Sequence, residues 1–126
     1  MTDSEAKDKW KNLFITDMEN AVRELQESGI DMTKLMIDPG VGFSKGLGEN
    51  VLSIKALDKM VKTGYPVLLA ASRKSVIGNV LDLDINNRLE GTLALTAYAV
   101  MNGASFVRVH DVKENVRVIK MLEALK

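Results

Sequence analysis

Val67-Leu68-Leu69-Ala70-Ala71-Ser72-Arg73-Lys74-Ser75 decides the fold: five apolar residues run directly into four polar ones. A short continuous apolar run suits a strand buried on both faces. Two other stretches share the design. Leu35-Met36-Ile37 stops at Asp38-Pro39-Gly40, where Pro and Gly break a ladder. Phe106-Val107-Arg108-Val109-His110 forms the third predicted strand. The strand starts lie 32 and 39 positions apart, the period of βαβ units of about 30 residues or more and of a parallel sheet.

Helical patterns fill the spaces between. Met18, Ala21, Val22 and Leu25 make one apolar stripe, predicting a helix from Trp10 to Ser28 that Gly29 ends in the left-handed conformation. Residues 1–9 are expected to be disordered. Asn50 is read as the cap of a second helix with Val51, Ile54, Leu57 and Val61 inside, closed by Gly64 and Pro66. A short helix is expected over Ser75–Leu81. Asn87 with Glu90, and Asp111 with Glu114, read as capping boxes for two more helices. The first carries Leu89, Leu93, Ala97 and Val100, ends at Gly103, and has a small-residue face of Gly91, Ala94 and Ala97. The second buries Val116, Ile119 and Leu122. The seven methionines are read mostly as core filler. Gly40, Gly42, Gly46 and Gly48 are read as loop permissiveness; Gly42-Phe43-Ser44-Lys45 is not a phosphate-loop motif.

The order is thus a helix followed by three βα units, in 126 residues. A (β/α)8 barrel usually takes about 250 residues, and a doubly wound sheet usually begins with a strand and a Gly-rich loop. The expected fold is α/β: the C-terminal portion of a (β/α)8 TIM barrel, residues 1–126 forming one partial domain, or a chain that pairs to finish its core. Seventeen basic and 17 acidic residues cancel, which argues against a nucleic-acid arm or a polybasic membrane patch. Aromatics at 5% argue against a base-stacking platform. With no cysteine there is no disulfide, thiolate zinc site or thiol nucleophile. Residues 1–11 are charged, unlike a signal peptide, and no apolar run reaches the roughly 18 residues of a membrane helix. No membrane and no nucleic-acid partner is expected.

Polar residues collect after every strand: Asp38 after the first, Ser72, Arg73, Lys74 and Ser75 after the second, Arg108 and His110 in the third. Ligands in barrels and open α/β sheets sit at the carboxyl ends of strands. Asp38-Pro39-Gly40-Val41-Gly42-Phe43, Ala71-Ser72-Arg73-Lys74-Ser75 and Arg108-Val109-His110-Asp111-Val112 resemble, in order and spacing, the three C-terminal motifs of the dihydropteroate synthase family. Arg88-Leu89-Glu90-Gly91-Thr92 also fits. The resemblance spans nearly the whole chain. Ser72-Arg73-Lys74 and Arg108-x-His110 speak against the related corrinoid-type pterin methyltransferases.

The resemblance implies strands six to eight of a pterin-binding barrel. It also implies a transferase of folate synthesis, a sulfonamide target that joins 4-aminobenzoate to hydroxymethyl-dihydropterin diphosphate and releases pyrophosphate. A carboxylate accepts two parallel N–H bonds, so Asp38 is implied as the pterin anchor; the alternative is an Asp-Pro-Gly turn bonded to its own backbone. Lys74 is implied on the pterin, against a solvated lysine that would oppose the helix dipole. Arg73 is read as structural or as a neighbour of the site, with Ser72 left open. Phe43 and Ser75 are implied on the aminobenzoate side, against a loop plug and a plain N-cap. Arg108 and His110, two apart and so facing one way, are implied as a diphosphate clamp, with Arg108 also over the pterin. Lys74, Arg108 and His110 are the implied catalytic residues. No protein metal ligand is implied, and Mg2+ is expected with the substrate diphosphate. A cytoplasmic homodimer is expected. Two departures stand out: Ser44 replaces a family glycine, and the family's N-terminal half, with an Asn loop for pyrophosphate and an Asp and an Asn for the pterin edge, has no counterpart here. The rival reading is therefore a non-catalytic truncated module that retains part of the ligand site and the dimer contacts.

Overall fold

A computed structural model describes residues 2–43 and 45–126. In chain order it contains α1 (Asp3–Glu27), a 3-10 turn (Met32–Lys34), α2 (Leu47–Lys55), α3 (Leu57–Lys62) and β1 (Leu68–Leu69). Then come α4 (Ser75–Leu81), a second 3-10 turn (Ile85–Asn87), α5 (Leu89–Met101), β2 (Phe106–Val107) and α6 (Val112–Ala124). The helices pack in sequence, α1 on α2, α2 on α4, α4 on α5 and α5 on α6. Leu57, Met60, Val41, Val67, Leu69 and Ala99 form the centre of the buried cluster.

The sheet is parallel, as expected, but much shorter. β1 pairs with β2, Leu68 opposite Phe106 and Leu69 opposite Val107. The expected strand at Leu35–Ile37 reduces to one parallel bridge, Ile37 with Val67. Proline explains the truncation. Ile37 N–H donates to Pro66 O at 2.9 Å and Leu68 N–H to Ile37 O at 2.8 Å. The next rung on either side needs an N–H from Pro66 or Pro39, and neither has one. These are the only two prolines in the sequence. The expected strand over Val67–Ala71 stops at Leu69, because the chain turns where Lys74 N–H donates to Ala71 O (3.1 Å). The third stops at Val107: Arg108 N–H still reaches Leu69 O (3.0 Å), but the His110 N–H donates to the Ser72 hydroxyl instead (3.2 Å).

Several helix boundaries also differ from expectation. α1 starts at Asp3, not Trp10, so residues 3–9, expected to be disordered, are helical; Met1 lies outside the described residues. Thr2 and Glu5 form a reciprocal capping box, Glu5 N–H to Thr2 Oγ1 at 3.1 Å and Thr2 N–H to Glu5 Oε2 at 3.3 Å. Asn50 is not a cap. Gly46 is, and Asn50 lies buried within α2. The single second helix breaks at Ala56 into α2 and α3. The Asn87–Glu90 box is absent: Asp84 holds the Asn86 N–H (3.0 Å) and the Asn87 amide (2.8 Å), leaving Arg88 to cap α5. Asp111 does cap α6, but without a side-chain bond to the helix, since its carboxylate is bonded to Arg73.

Other expectations hold. α4 spans Ser75–Leu81 as read, and Gly29, Gly64 and Gly103 follow their helices at φ +88 to +91°. Gly91 lets α5 approach α4 so closely that a Cβ there would overlap Ile77. Among the methionines, Met60 is fully buried and Met18 and Met32 pack on the core, but Met36, Met101 and Met121 are exposed, so the filler reading holds for only part of the set.

Candidate functional site

Parallel pairing brings the carboxyl ends of Ile37, β1 and β2 to one end of the sheet, and the polar residues follow each of them. A cleft of about 540 Å³ opens there, lined by Ser72, Arg73, Lys74, Arg108 and His110 together with Ala70, Ile85 and Val109. Asp38, Phe43 and Ser75 lie outside this lining.

Lys74 joins the first loop to the rest. Its ammonium donates to Val41 O at 2.7 Å and lies 5.1 Å from the centre of the Phe43 ring, a cation–π distance. Burial holds its pKa below the ordinary lysine value; Asp38 pulls it back up, while Arg108 and Lys45 push it down. These couplings put Asp38, Lys45, Lys74 and Arg108 in one electrostatic neighbourhood. Phe43 is 68% exposed, so it is not a plug beneath the loop.

Polar groups of the loop itself and of α2 hold residues 38–43 and 45 in place. Asp38 Oδ1 accepts the Gly40 N–H at 2.6 Å, the local turn weighed above, although the residue is exposed. Gly40 and Gly42 adopt φ +71° and +88°, a region costly for residues with a Cβ. Gly42 N–H donates to Asn50 Oδ1 at 2.9 Å, and Lys45 Nζ donates to Gly40 O at 2.9 Å. Lys45 thus serves the loop's own carbonyls. Ser44, where the sequence departs from the family, lies outside the described residues.

The second loop turns on Arg73, a non-glycine residue at φ +59°. That conformation costs roughly 1–2 kcal/mol, so its surroundings must impose it. Three do. Arg73 N–H donates to Thr92 Oγ1 (3.1 Å), Arg88 Nη1 donates to Arg73 O (2.9 Å), and Arg73 Nη2 meets Asp111 Oδ1 (3.0 Å). Arg88 also lies against Gly78, where a Cβ would collide with its guanidinium. The clamp turns Ser72 and Lys74 toward the cleft. Ser75 is exposed at the first position of α4, and Lys74 occupies the cap position without a side-chain cap bond, so the plain N-cap reading of Ser75 does not hold.

In the third loop Arg108 and His110 are exposed and both line the cleft. His110 Nδ1 lies 2.8 Å from Ser72 Oγ. Sequence reading missed the supporting residues Asn50, Thr92, Asp111 and Arg88. Arg88 and Thr92 carried a signal only as part of the Arg88–Thr92 pentad, Asp111 only as part of the third motif and as a cap, and Asn50 only as a cap. Among the described residues no group of three or more His, Asp or Glu side chains could hold a metal ion. No helix is long and apolar enough to cross a membrane among the described residues.

A parallel βα segment with its polar residues converging at the strand ends has the form of part of a ligand-binding barrel mouth. A model of the family described as pterin binding enzyme matches residues 1–110, and the chain belongs to that family, which includes the dihydropteroate synthases. It is 41% identical over 112 residues to the dihydropteroate synthase of Bacillus subtilis, covering 89% of this chain and 39% of that protein. With the Clostridium beijerinckii synthase it shares 38% over 121 residues, 93% of this chain and 45% of that one. It is also 38% identical, over 89% of its length and 35% of the relative's, to the inactive dihydropteroate synthase 2 of Mycobacterium tuberculosis. In structure it matches the Coxiella burnetii dihydropteroate synthase in complex with pteroic acid, with a TM-score of 0.85 and 35% identity, over 91% of this chain and 44% of that one. A Yersinia pestis dihydropteroate synthase in complex with a sulfonamide drug matches at TM-score 0.85 and 33% identity, over 92% and 42%. The chain therefore spans less than half the length of these relatives, and its fold corresponds to part of their barrel.

Proposed function

We propose that residues 1–126 form the strand-six-to-eight portion of a dihydropteroate synthase barrel and carry part of its active site. The observation that carries this is the cleft at the strand ends, where Lys74, Arg108 and His110 converge. In this reading the substrate's diphosphate lies against Arg108 and His110, two donors suited to phosphate oxygens. The pterin lies along Asp38, Lys74 and Arg108, and 4-aminobenzoate on the side of Phe43 and Ser75. The bond between the pterin methylene carbon and the diphosphate oxygen loosens first, and positive charge spreads into the pterin. The aminobenzoate nitrogen then attacks the methylene carbon and loses a proton, and pyrophosphate departs. No protein nucleophile is required. Arg108 and His110 stabilise the leaving group, and Lys74 and Asp38 orient the ring. The magnesium ion accompanies the diphosphate as part of the substrate. A cytoplasmic homodimer completes the proposal; the exposed apolar residues Met101 on α5 and Val112, Val116 and Met121 on α6 support the dimer.

A second reading, a non-catalytic module, is favoured by the Asp38 carboxylate's bond to Gly40 N–H, by the partial span and by the inactive relative. Pyrophosphate titration followed by amide NMR separates the two. A retained site gives saturable shifts at Arg108 and His110 that Arg108→Ala abolishes. A module without a working site gives none, and shifts spread over surface lysines alone would overturn the proposal.

A further inference from the structure

Ser72 is not among the residues given a role above, yet it is 7% exposed and makes two contacts with one partner. Its hydroxyl oxygen accepts the His110 backbone N–H at 3.2 Å and lies 2.8 Å from His110 Nδ1. A serine hydroxyl has one proton to donate and two lone pairs. One lone pair is taken by the His110 N–H. The hydroxyl proton then has an acceptor in reach at Nδ1, provided that nitrogen is bare. The reverse arrangement, with Nδ1–H donating to Oγ, gives the oxygen two donors and leaves its own proton to seek an acceptor other than His110. Counting hydrogens favours the first.

We propose that Ser72 is a positioning residue that fixes neutral His110 in the Nε2–H tautomer and presents that N–H to the cleft as a donor for an acceptor oxygen. The backbone supports this. Ser72 precedes Arg73, whose left-handed conformation is held by Thr92, Arg88 and Asp111, so the hydroxyl is aimed by a turn locked on three sides. Ser72 therefore controls both the ring, through Nδ1, and the end of the third strand, through the His110 amide. The ligand class that follows is an oxyanion such as a phosphate; this last step rests on the diphosphate reading above, whereas the tautomer assignment does not.

The sequence holds a single histidine, so its ring nitrogens can be read without overlap in a long-range 1H–15N correlation of the 126-residue chain. In mildly alkaline buffer, where an imidazole is neutral, the expected pattern is a protonated Nε2 and a hydrogen-bonded, unprotonated Nδ1. In Ser72→Ala the Nδ1 signal should move to that of a free acceptor nitrogen and a minor Nδ1–H population should appear. Ser72→Thr, which retains the hydroxyl, should restore the wild-type pattern. A wild-type ring protonated at Nδ1, or a Ser72→Ala spectrum identical to wild type in a folded chain, overturns the proposal. Inorganic pyrophosphate is then added. Its binding should shift Nε2 and weaken roughly two- to tenfold in Ser72→Ala, the worth of one hydrogen bond. A correct tautomer with no pyrophosphate shift would sink the diphosphate reading alone and leave the positioning role of Ser72 supported.

Discussion

Replacing Asn50 with alanine should loosen the first site loop and lower stability together. Asn50 is 2% exposed, and its Oδ1 takes the Gly42 N–H at 2.9 Å. Alanine removes that acceptor. An orphaned buried donor costs about 1–3 kcal/mol; because Gly42 is exposed and the loop can shift to hydrate its N–H, the lower half of that range applies, about 1–2 kcal/mol. For a chain of this size that is a fall of about 3–8 °C in melting temperature. The loop should pay a second cost in order. Val41 O, the acceptor of Lys74 Nζ, and Phe43, under the same ammonium, flank Gly42. Releasing Gly42 should free Lys45, and limited trypsin digestion should cut after it faster in Asn50→Ala than in wild type. Asn50→Asp retains an acceptor oxygen and should lie between the two. Thermal unfolding by circular dichroism and a digestion time course measure both effects. A variant within about 0.5 kcal/mol of wild type and digested at the same rate would refute the claim that Asn50 fastens this loop.

Gly91→Ala should destabilise the chain, because the added methyl would overlap Ile77; overpacking at about 1–3 kcal/mol outweighs the roughly 1 kcal/mol gained in helix propensity, and urea unfolding measures the difference. Lys74 gives a pH dependence. Burial lowers its folded pKa below the ordinary 10.5, so between those two values the unfolded chain holds a proton the folded chain has lost, and stability from this group rises with pH. The stability of wild type relative to Lys74→Met should increase across that alkaline window in urea titrations; a flat or falling difference would contradict it. Sedimentation equilibrium should show a dimer that Met101→Glu with Met121→Glu weakens, and a monomer at all concentrations would rule out the proposed homodimer.

The sequence revealed those parts of the fold that local chemistry controls. Apolar runs located the three strand ends, and of the polar residues after them Ser72, Arg73, Lys74, Arg108 and His110 share one cleft, while Asp38 and Ser75 lie outside its lining. α4 was legible to the residue, and the glycines after three helices adopt the left-handed conformation that only their lack of a Cβ makes easy. What failed to be read was governed by distant partners. Asn50 looks like a cap, but a long-range bond to Gly42 claims its side chain, and Asp111 caps α6 with its carboxylate on Arg73 rather than on the helix. Two other misses were legible in principle. Thr2-x-x-Glu5 is a capping-box pattern, and Pro39 and Pro66 on the two sides of one ladder limit it to a single bridge once the register is known. The backbone strain at Arg73 had no sequence signal, because nothing in an arginine marks it for positive φ.

The most direct test of the central claim is dihydropteroate formation by residues 1–126 alone and by the same residues joined to the N-terminal half of a matched relative. Each absent charge-assisted contact to the pterin or diphosphate is worth about 1.5–3 kcal/mol, and several absent together remove orders of magnitude in rate. The account predicts no measurable product from the 126 residues alone. It predicts turnover from the joined enzyme, largely abolished by Lys74→Ala or Arg108→Ala. Robust synthesis by the 126-residue chain, or undiminished synthesis by the joined enzyme carrying Arg108→Ala, would contradict it.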